Sequence, residues 1–425
     1  MIIHIHDNKF KLFGKHCKIE YVNVGNGNNL NQIWVHIGSK IFKFSYKNII
    51  RFIYNDNWIK INLITMKVMI KNKGVKCNTW INGQFIYHKY DEKEENCSRC
   101  GTQVIEEIIN YGYIYNDGSF EFKSDIYCID DGAFKNNDYL KTITIPDTVI
   151  SLNEFCFYRC SKLRSITLGS SVQSLGNYCF NGCSNLSSIT IPDSVESLGN
   201  SCFYGCSKLS SITLGSSVQS LGDSCFSGCS NLRSIEIPYL VQSLVYGCFA
   251  GCSNLRSITL GSSVQSLGNY CFNGCSNLSS ITIPNSVESL GDYCFSGCSN
   301  LSSIEIPSLV KSLSNSCFSG CSNLSSIEIP YSVESLGNYC FYNCNSLSSI
   351  TIPDSVESLG NSCFYGCSKL SSITLGSSVQ SLGDSCFSGC SILNEIIIKG
   401  GTYADDIKNE LMTKHKIAES KIFFE

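Results

Sequence analysis

Between residues 186 and 209 the chain reads LSSITIPDSVESLGNSCFYGCSKL, with apolar side chains at Leu186, Ile189, Ile191, Val195, Leu198, Cys202, Phe203, Cys206 and Leu209. Apolar and polar residues alternate around Ile189 and Ile191, which predicts a short strand with that pair inward and Ser188 and Thr190 outward. Pro192 ends the strand, since it brings no amide to a ladder. Val195 and Leu198 supply a second inward pair, Gly199 is expected to permit a tight bend, and the following arc swings Phe203 back across the core.

The same pattern returns every 23 residues, with a Cys-Phe-x-x-Cys arc around Phe157, Phe180, Phe203, Phe226, Phe249, Phe272, Phe295, Phe318, Phe341, Phe364 and Phe387. An earlier, twelfth copy keeps Phe134 but has Ala133 and Asn137 in the cysteine slots. Phenylalanine therefore holds the register, and cysteine is replaceable. All seven prolines (146, 192, 238, 284, 307, 330 and 353) occupy the slot after the strand, where four other copies have Gly169, Gly215, Gly261 or Gly376. One such turn cannot bury its apolar stripe alone, whereas stacked turns can. With parallel strands about 4.8 Å apart, twelve copies give a solenoid roughly 55 to 60 Å long.

The pattern L-x-x-I-x-I-P-x-S-V-x-x-L-G-x-x-C-F-x-x-C resembles the BspA-like class of leucine-rich repeats and covers residues 118–400. The resemblance implies a leucine-rich-repeat solenoid with a parallel sheet on one face, in a family often described as surface antigens or as adhesion and protein-interaction modules. It implies no catalytic residues, because the motif positions are structural. Residues 186–230 are identical to 347–391, and 163–192 to 255–284, as expected of duplicated turns. Specificity is then expected at the few positions that differ.

The ends depart from the repeat. The stretch SFEF places Phe120 and Phe122 one period before Ile143 and Ile145, predicting an atypical opening strand, with Ile126 and Ile129 in the later Val and Leu slots. After Leu393, Ile396 and Ile398, two glycines break the register, and TYADDIKNELMTKHK reads as an amphipathic helix able to cover the last apolar layer.

Charge divides the chain further. Residues 1–100 carry 16 Lys and Arg against 7 Asp and Glu (+9), and the remainder 16 against 28 (−12). Trp34, Trp58, Trp80 and five of the six histidines also precede residue 90. The expected organisation is a basic, mostly-β domain over 1–100, a linker and cap over 101–117, the solenoid over 118–400 and a C-terminal cap over 401–425. The first segment has aromatic and β-branched runs such as NQIWVHIG and KIFKFSY between Gly and Asn turns. Its basic charge suits an anionic partner, nucleic acid included, without a recognisable nucleic-acid motif.

Of the 27 cysteines, 22 lie in the repeats. Slots that also accept Ala133 and Asn137 read as core filler. Equivalent residues on neighbouring turns point in parallel directions, which disfavours disulfides. The repeats contain no histidine to act as a base or to join a metal site. Cys97 and Cys100, with Cys77 and His88 upstream, form only a weak zinc pattern. No cofactor or metal is therefore expected.

No run of about eighteen apolar residues predicts a membrane span. The N-terminus is a poor secretory signal, and a cysteine-rich chain without one suits a reducing cytoplasm; the family resemblance points instead to the cell surface. The expected function is non-catalytic: a scaffold binding a protein through the outward row of the sheet. The candidate contacts are Thr190, Thr213, Glu236, Tyr239, Thr259, Thr282, Glu305, Glu328, Tyr331 and Thr351. The alternatives are a surface adhesin or antigen, and a Ser/Thr ladder for ice or polysaccharide.

Overall fold

A computed structural model describes residues 111–122 and 126–425 in full and, before them, the backbone of the strands between Ile2 and Ile108. It divides into two compact units, Met1–Thr79 and Trp80–Glu425. The first holds two four-stranded antiparallel sheets, ordered Ile2–His4, Lys67–Asn72, Asn57–Asn62, Ile49–Tyr54 and Lys9–Leu12, Lys15–Val22, Gln32–Ile37, Lys40–Ser45. Cys77, His88, Cys97 and Cys100 fall outside the described residues, as do the basic side chains of 1–100.

In the second unit an antiparallel run, Gln84–Tyr87, Val104–Ile108, Gly112–Tyr115 and Phe120–Phe122, leads into the solenoid. Two of its strands lie in the segment read as linker and cap. Phe120–Phe122 thus pairs antiparallel with the hairpin, and Ser119 makes a single parallel bridge to Thr142 of the first regular turn.

Most turns contribute to two columns of short parallel strands. One column contains Ser188–Thr190, whose burial alternates exposed, buried, exposed as the sequence pattern requires. The other contains Ser197–Leu198, which buries Leu198. Partners lie one period apart, as in Ser188 with Ser211 and Leu198 with Leu221. The prolines and glycines after the first strand end its ladder, and the chain turns the corner there.

The core is a single stripe running the length of the solenoid. Phe134 to Phe364 are fully buried at every turn, and their rings stack nearly parallel, 4.9–5.9 Å between centroids from Phe134 to Phe387. The arc that carries them needs two left-handed residues, at Ser201 (φ 51°) and Gly205 (φ 68°) in the turn quoted above.

Gly199 is not among these left-handed residues, so the bend expected of it lies elsewhere. Its requirement for glycine comes from the neighbouring turn: a Cβ there would lie 2.5 Å from the backbone nitrogen of Asn177. At Gly199 the stacked turns approach too closely for a side chain to fit.

The cysteines do more than fill space. In each regular turn the second thiol donates to the backbone carbonyl of the phenylalanine 26 residues earlier, as from Cys206 Sγ to Phe180 O at 3.1 Å. The series runs from Cys160 to Cys390 at 2.9–3.2 Å. Asn137, in the first copy, turns its Oδ1 instead to the N–H groups of Tyr139 and Leu140. Among the described residues the thiols from Cys156 to Cys390 form no disulfide.

At the far end the helix Ala404–Thr413 buries Ile407 and Leu411. Glu410 accepts the N–H of Leu382 at 3.1 Å, and Lys414 donates to the Leu382 carbonyl at 2.7 Å. These two side chains satisfy the backbone of the last inner strand, which has no further turn to pair with. Ile422–Phe424 then adds a parallel strand beside Glu395–Ile398. Among the described residues no helix is long and apolar enough to cross a membrane.

Candidate functional site

The candidate contact residues stand at the outward positions of the first strand column and the corner that follows. Thr190, Thr213, Glu236, Thr259, Thr282, Glu305, Glu328 and Thr351 are all exposed. Tyr239 and Tyr331 at the corner are 66% and 76% exposed. Glu236 pairs across the ladder with Thr259, and Glu305 stands directly opposite Glu328, placing two carboxylates on neighbouring rungs.

This column is not one continuous sheet. Its strands fall into separate groups, Thr142 to Thr213, Ser234 to Thr259, and Ser349 onward. Thr282 lies between groups, and Glu305 and Glu328 make only a bridge. The inner column is more regular, broken once, between Ser220–Leu221 and Ser243–Leu244. Among the described residues both columns are therefore open at the same junction only between turns 209–231 and 232–254.

The rungs on either side define the opening. One turn earlier, Ser210, Gln219 and Gly222 donate their N–H groups to Ser187, Glu196 and Leu198 at 2.9 Å each. One turn later, Arg256, Gln265 and Gly268 donate to Arg233, Gln242 and Leu244 at 2.7–2.9 Å. At the junction itself the equivalent donors, Arg233, Gln242 and Val245, make no backbone bond to Ser210, Gln219 and Leu221. The arc side stays closed, with Phe226 N donating to Cys248 O at 2.8 Å and Gly228 N to Ala250 O at 2.7 Å.

One residue marks this turn. Val245 occupies the Gly199 slot, and at Gly222, the same slot one turn earlier, a Cβ would lie 2.4 Å from Asn200 N and 2.5 Å from Gly199 C. Asn153, unbranched at Cβ, keeps its rung in the same slot, its N–H donating to Ile129 O at 3.1 Å; the branched valine does not fit at that separation, and the rungs of its turn are unmade. Ser314 shows a smaller effect in the same slot. There only Leu290 and Leu313 remain paired, and the Ser314 hydroxyl bonds to Leu290 O at 2.6 Å.

The opening forms a groove of about 740 Å³ on the strand side, lined by Asp193, Ser211, Ile212, Thr213, Leu214, Ser216, Ser234, Ile235, Glu236, Pro238, Tyr239, Ser257 and Thr259. A smaller hollow of about 190 Å³ lies against Ser210, Asn231, Arg233, Asn254 and Arg256. Asp193 accepts both the N–H and the hydroxyl of Ser216, at 2.7 and 3.0 Å, and these bonds hold its carboxyl below the usual carboxylate range.

Sequence reasoning missed a second exposed feature. The left-handed Ser201 slot holds an aromatic residue in several turns, and the rings stack where they are adjacent: Phe155 on Tyr178 at 4.9 Å and Tyr270 on Tyr293 at 4.7 Å. Nearby, asparagine and aspartate Oδ1 atoms accept the N–H one turn on, as in Asn177 to Asn200 and Asn200 to Asp223. Tyr246 interrupts that ladder in the same turn as Val245. The fixed spacing of these residues was the available signal.

Burial keeps the repeat thiols in their unreactive form. Burial pushes them up, Cys252, Cys298 and Cys344 to about 12, so the nucleophilic thiolate is not populated near neutrality. Among the described residues no group of three or more His, Cys, Asp or Glu side chains converges to hold a metal ion.

Comparison with known proteins accords with this architecture. A model of the BspA type leucine rich repeat region matches residues 110–233, 220–333 and 311–422. Among solved structures, a leucine-rich repeat protein from Bacteroides ovatus is 26% identical, with 79% of this chain and 100% of that one covered and a TM-score of 0.49. A leucine rich cell surface protein from Faecalibacterium prausnitzii is 24% identical over 84% of this chain and 97% of that one, with a TM-score of 0.48. The pneumococcal vaccine antigen PcpA is 20% identical over 78% and 98%, with a TM-score of 0.51, a likeness of fold. No curated protein matches the chain. Because the repeat model accounts for residues 110–422, most of the molecule, the chain belongs to the BspA-type leucine-rich-repeat family.

Proposed function

We propose that the solenoid is a non-catalytic recognition module of the adhesin or antigen type, which holds a protein partner against its outward strand row. The observation that carries this reading is the row itself: from Thr144 to Thr374 every strand presents threonine except where Glu236, Glu305 and Glu328 stand. Two of the three carry an exposed tyrosine three residues on, Tyr239 and Tyr331. Tyrosine supplies contact area at low entropic cost, and carboxylates beside it select a basic partner surface. Interruptions of the column weigh against a flat periodic face for ice or polysaccharide.

The proposal places the module at the cell surface. Its thiols are buried, protonated and engaged with carbonyls, so the folded core does not depend on a reducing compartment. Antibody labelling of intact and permeabilised cells tests the location, and labelling only after permeabilisation refutes it. For the face, the chain with Glu236, Glu305 and Glu328 all changed to Thr is compared with the natural chain by quantitative crosslinking of its partner. Equal recovery of that partner refutes binding through the row.

A further inference from the structure

The junction at Val245 brings together features that other turns have singly. Arg233 and Arg256 stand on neighbouring turns at the small hollow, exposed, and without a salt bridge. In the next five turns that slot is serine, at Ser279, Ser302, Ser325, Ser348 and Ser371. Three residues along the strand Glu236 lines the larger groove, with Asp193 two turns earlier on its far side and Tyr239 on its flank. Three residues of extended chain span about 10 Å. Arg233 and Glu236 are thus held about that far apart on the turn whose backbone rungs to the preceding one are unmade, with Arg256 one turn after and Asp193 two turns before.

We propose that this seam is a docking groove for an extended polypeptide segment of a protein partner. The segment places an acidic side chain on Arg233 and Arg256 and a basic side chain between Asp193 and Glu236, and it packs against Tyr239. Two arginines present forked donors to a carboxylate, which a single surface lysine cannot match. A small anion fits the arginine hollow alone and leaves Glu236, Asp193 and Tyr239 unused; a cation leaves the arginines unused. A polypeptide carrying both charges uses the whole groove. The inference rests on the proposed role of the solenoid as a protein binder and assigns a specific seat to it.

The test uses the full chain and a bead-displayed library of random dodecapeptides, followed by fluorescence anisotropy on the enriched sequences. The expected winners carry Asp or Glu separated from Lys or Arg by two to four residues. Val245→Gly, which closes the seam and leaves every charged side chain in place, is expected to weaken their binding at least tenfold. Replacing Arg233 and Arg256 by the serine of neighbouring turns should abolish selection for the acidic residue, and Glu236→Lys should reverse selection at the basic one. Failure to enrich any such peptide, or equal binding to V245G, overturns the seam. A Glu305→Thr, Glu328→Thr double variant, remote from the seam, separates the two claims. If the partner crosslinked to the whole chain is lost with that variant but kept by V245G, the outward-row reading stands and the seam falls; if neither change affects it, both fall.

Discussion

Replacing Val245 by glycine should close the open junction and stabilise the protein. Three backbone rungs, from Arg233, Gln242 and residue 245, then become available, as at the junctions before and after. Each net bond contributes about 1 kcal/mol. Against these stand about 0.5–1 kcal/mol for the freedom of glycine in the unfolded chain and about 1 kcal/mol for the half-buried valine side chain. The expected net gain is about 1 kcal/mol. The reciprocal change is more severe: Gly222→Val puts a side chain where even a Cβ lies 2.4 Å from Asn200 N. It should break the three equivalent rungs, at a cost of about 3 kcal/mol. Urea unfolding measures both, and hydrogen exchange followed by mass spectrometry on peptides covering 231–245 locates the change. Protection of the Arg233 and Gln242 amides should rise in V245G. Unchanged exchange there, or a G222V variant as stable as the natural chain, would refute the claim that a branched side chain in this slot breaks the rungs.

Four further outcomes follow from the same geometry. Cys206→Ala removes a buried side chain and the donor to Phe180 O, so about 1–3 kcal/mol of stability should be lost in urea. In thiol titration of the native protein the buried repeat thiols should be silent and should react on denaturation; prompt native reaction would contradict their burial. Glu410→Ala leaves the Leu382 N–H without its side-chain acceptor, at a cost of about 1 kcal/mol that should appear as faster exchange at 381–382. His415, half-buried against Phe387, has its pKa lowered chiefly by desolvation. A depressed folded-state value means that stability is full above the unfolded value of about 6.5 and falls as pH drops below it; the cap should therefore become more susceptible to trypsin in mild acid, and His415→Phe should remove that pH dependence.

How far these features were legible in the sequence depends on the distance each spans. Inward and outward positions such as Ile189 and Thr190 are set by strand alternation within a few residues, and the 23-residue period carried that pattern through the whole solenoid. The role of Gly199 was misread because its constraint comes from Asn177, a turn away in sequence and 2.5 Å away in space. The same applies to the cysteines. Their acceptor lies 26 residues back, which makes a hydrogen-bond donor look like a small apolar filler. Val245 was visible as the single valine in a column of mostly glycine, yet its consequence could not be inferred without the separation between turns. The left-handed aromatic slot was likewise regular in sequence, but its conformation depends on how the arc returns to the core.

The duplications bear on where selectivity resides. The copied block 186–230 ends just before the turn 232–254, and its second instance at 347–391 is followed by a different continuation. The turn with Arg233, Glu236, Tyr239, Val245 and Tyr246 therefore occurs once, between turns that are nearly interchangeable. Stacked repeats interact mainly with their neighbours, so an irregular turn weakens one junction while leaving the others intact. Substituting Val245 there forgoes about three backbone bonds, a local sacrifice of order 3 kcal/mol before the compensating terms. Turns on either side retain the glycine and make those bonds. A solenoid selected only for length and stability would have the consensus glycine here as well; retaining the open junction makes physical sense if the groove it exposes is used.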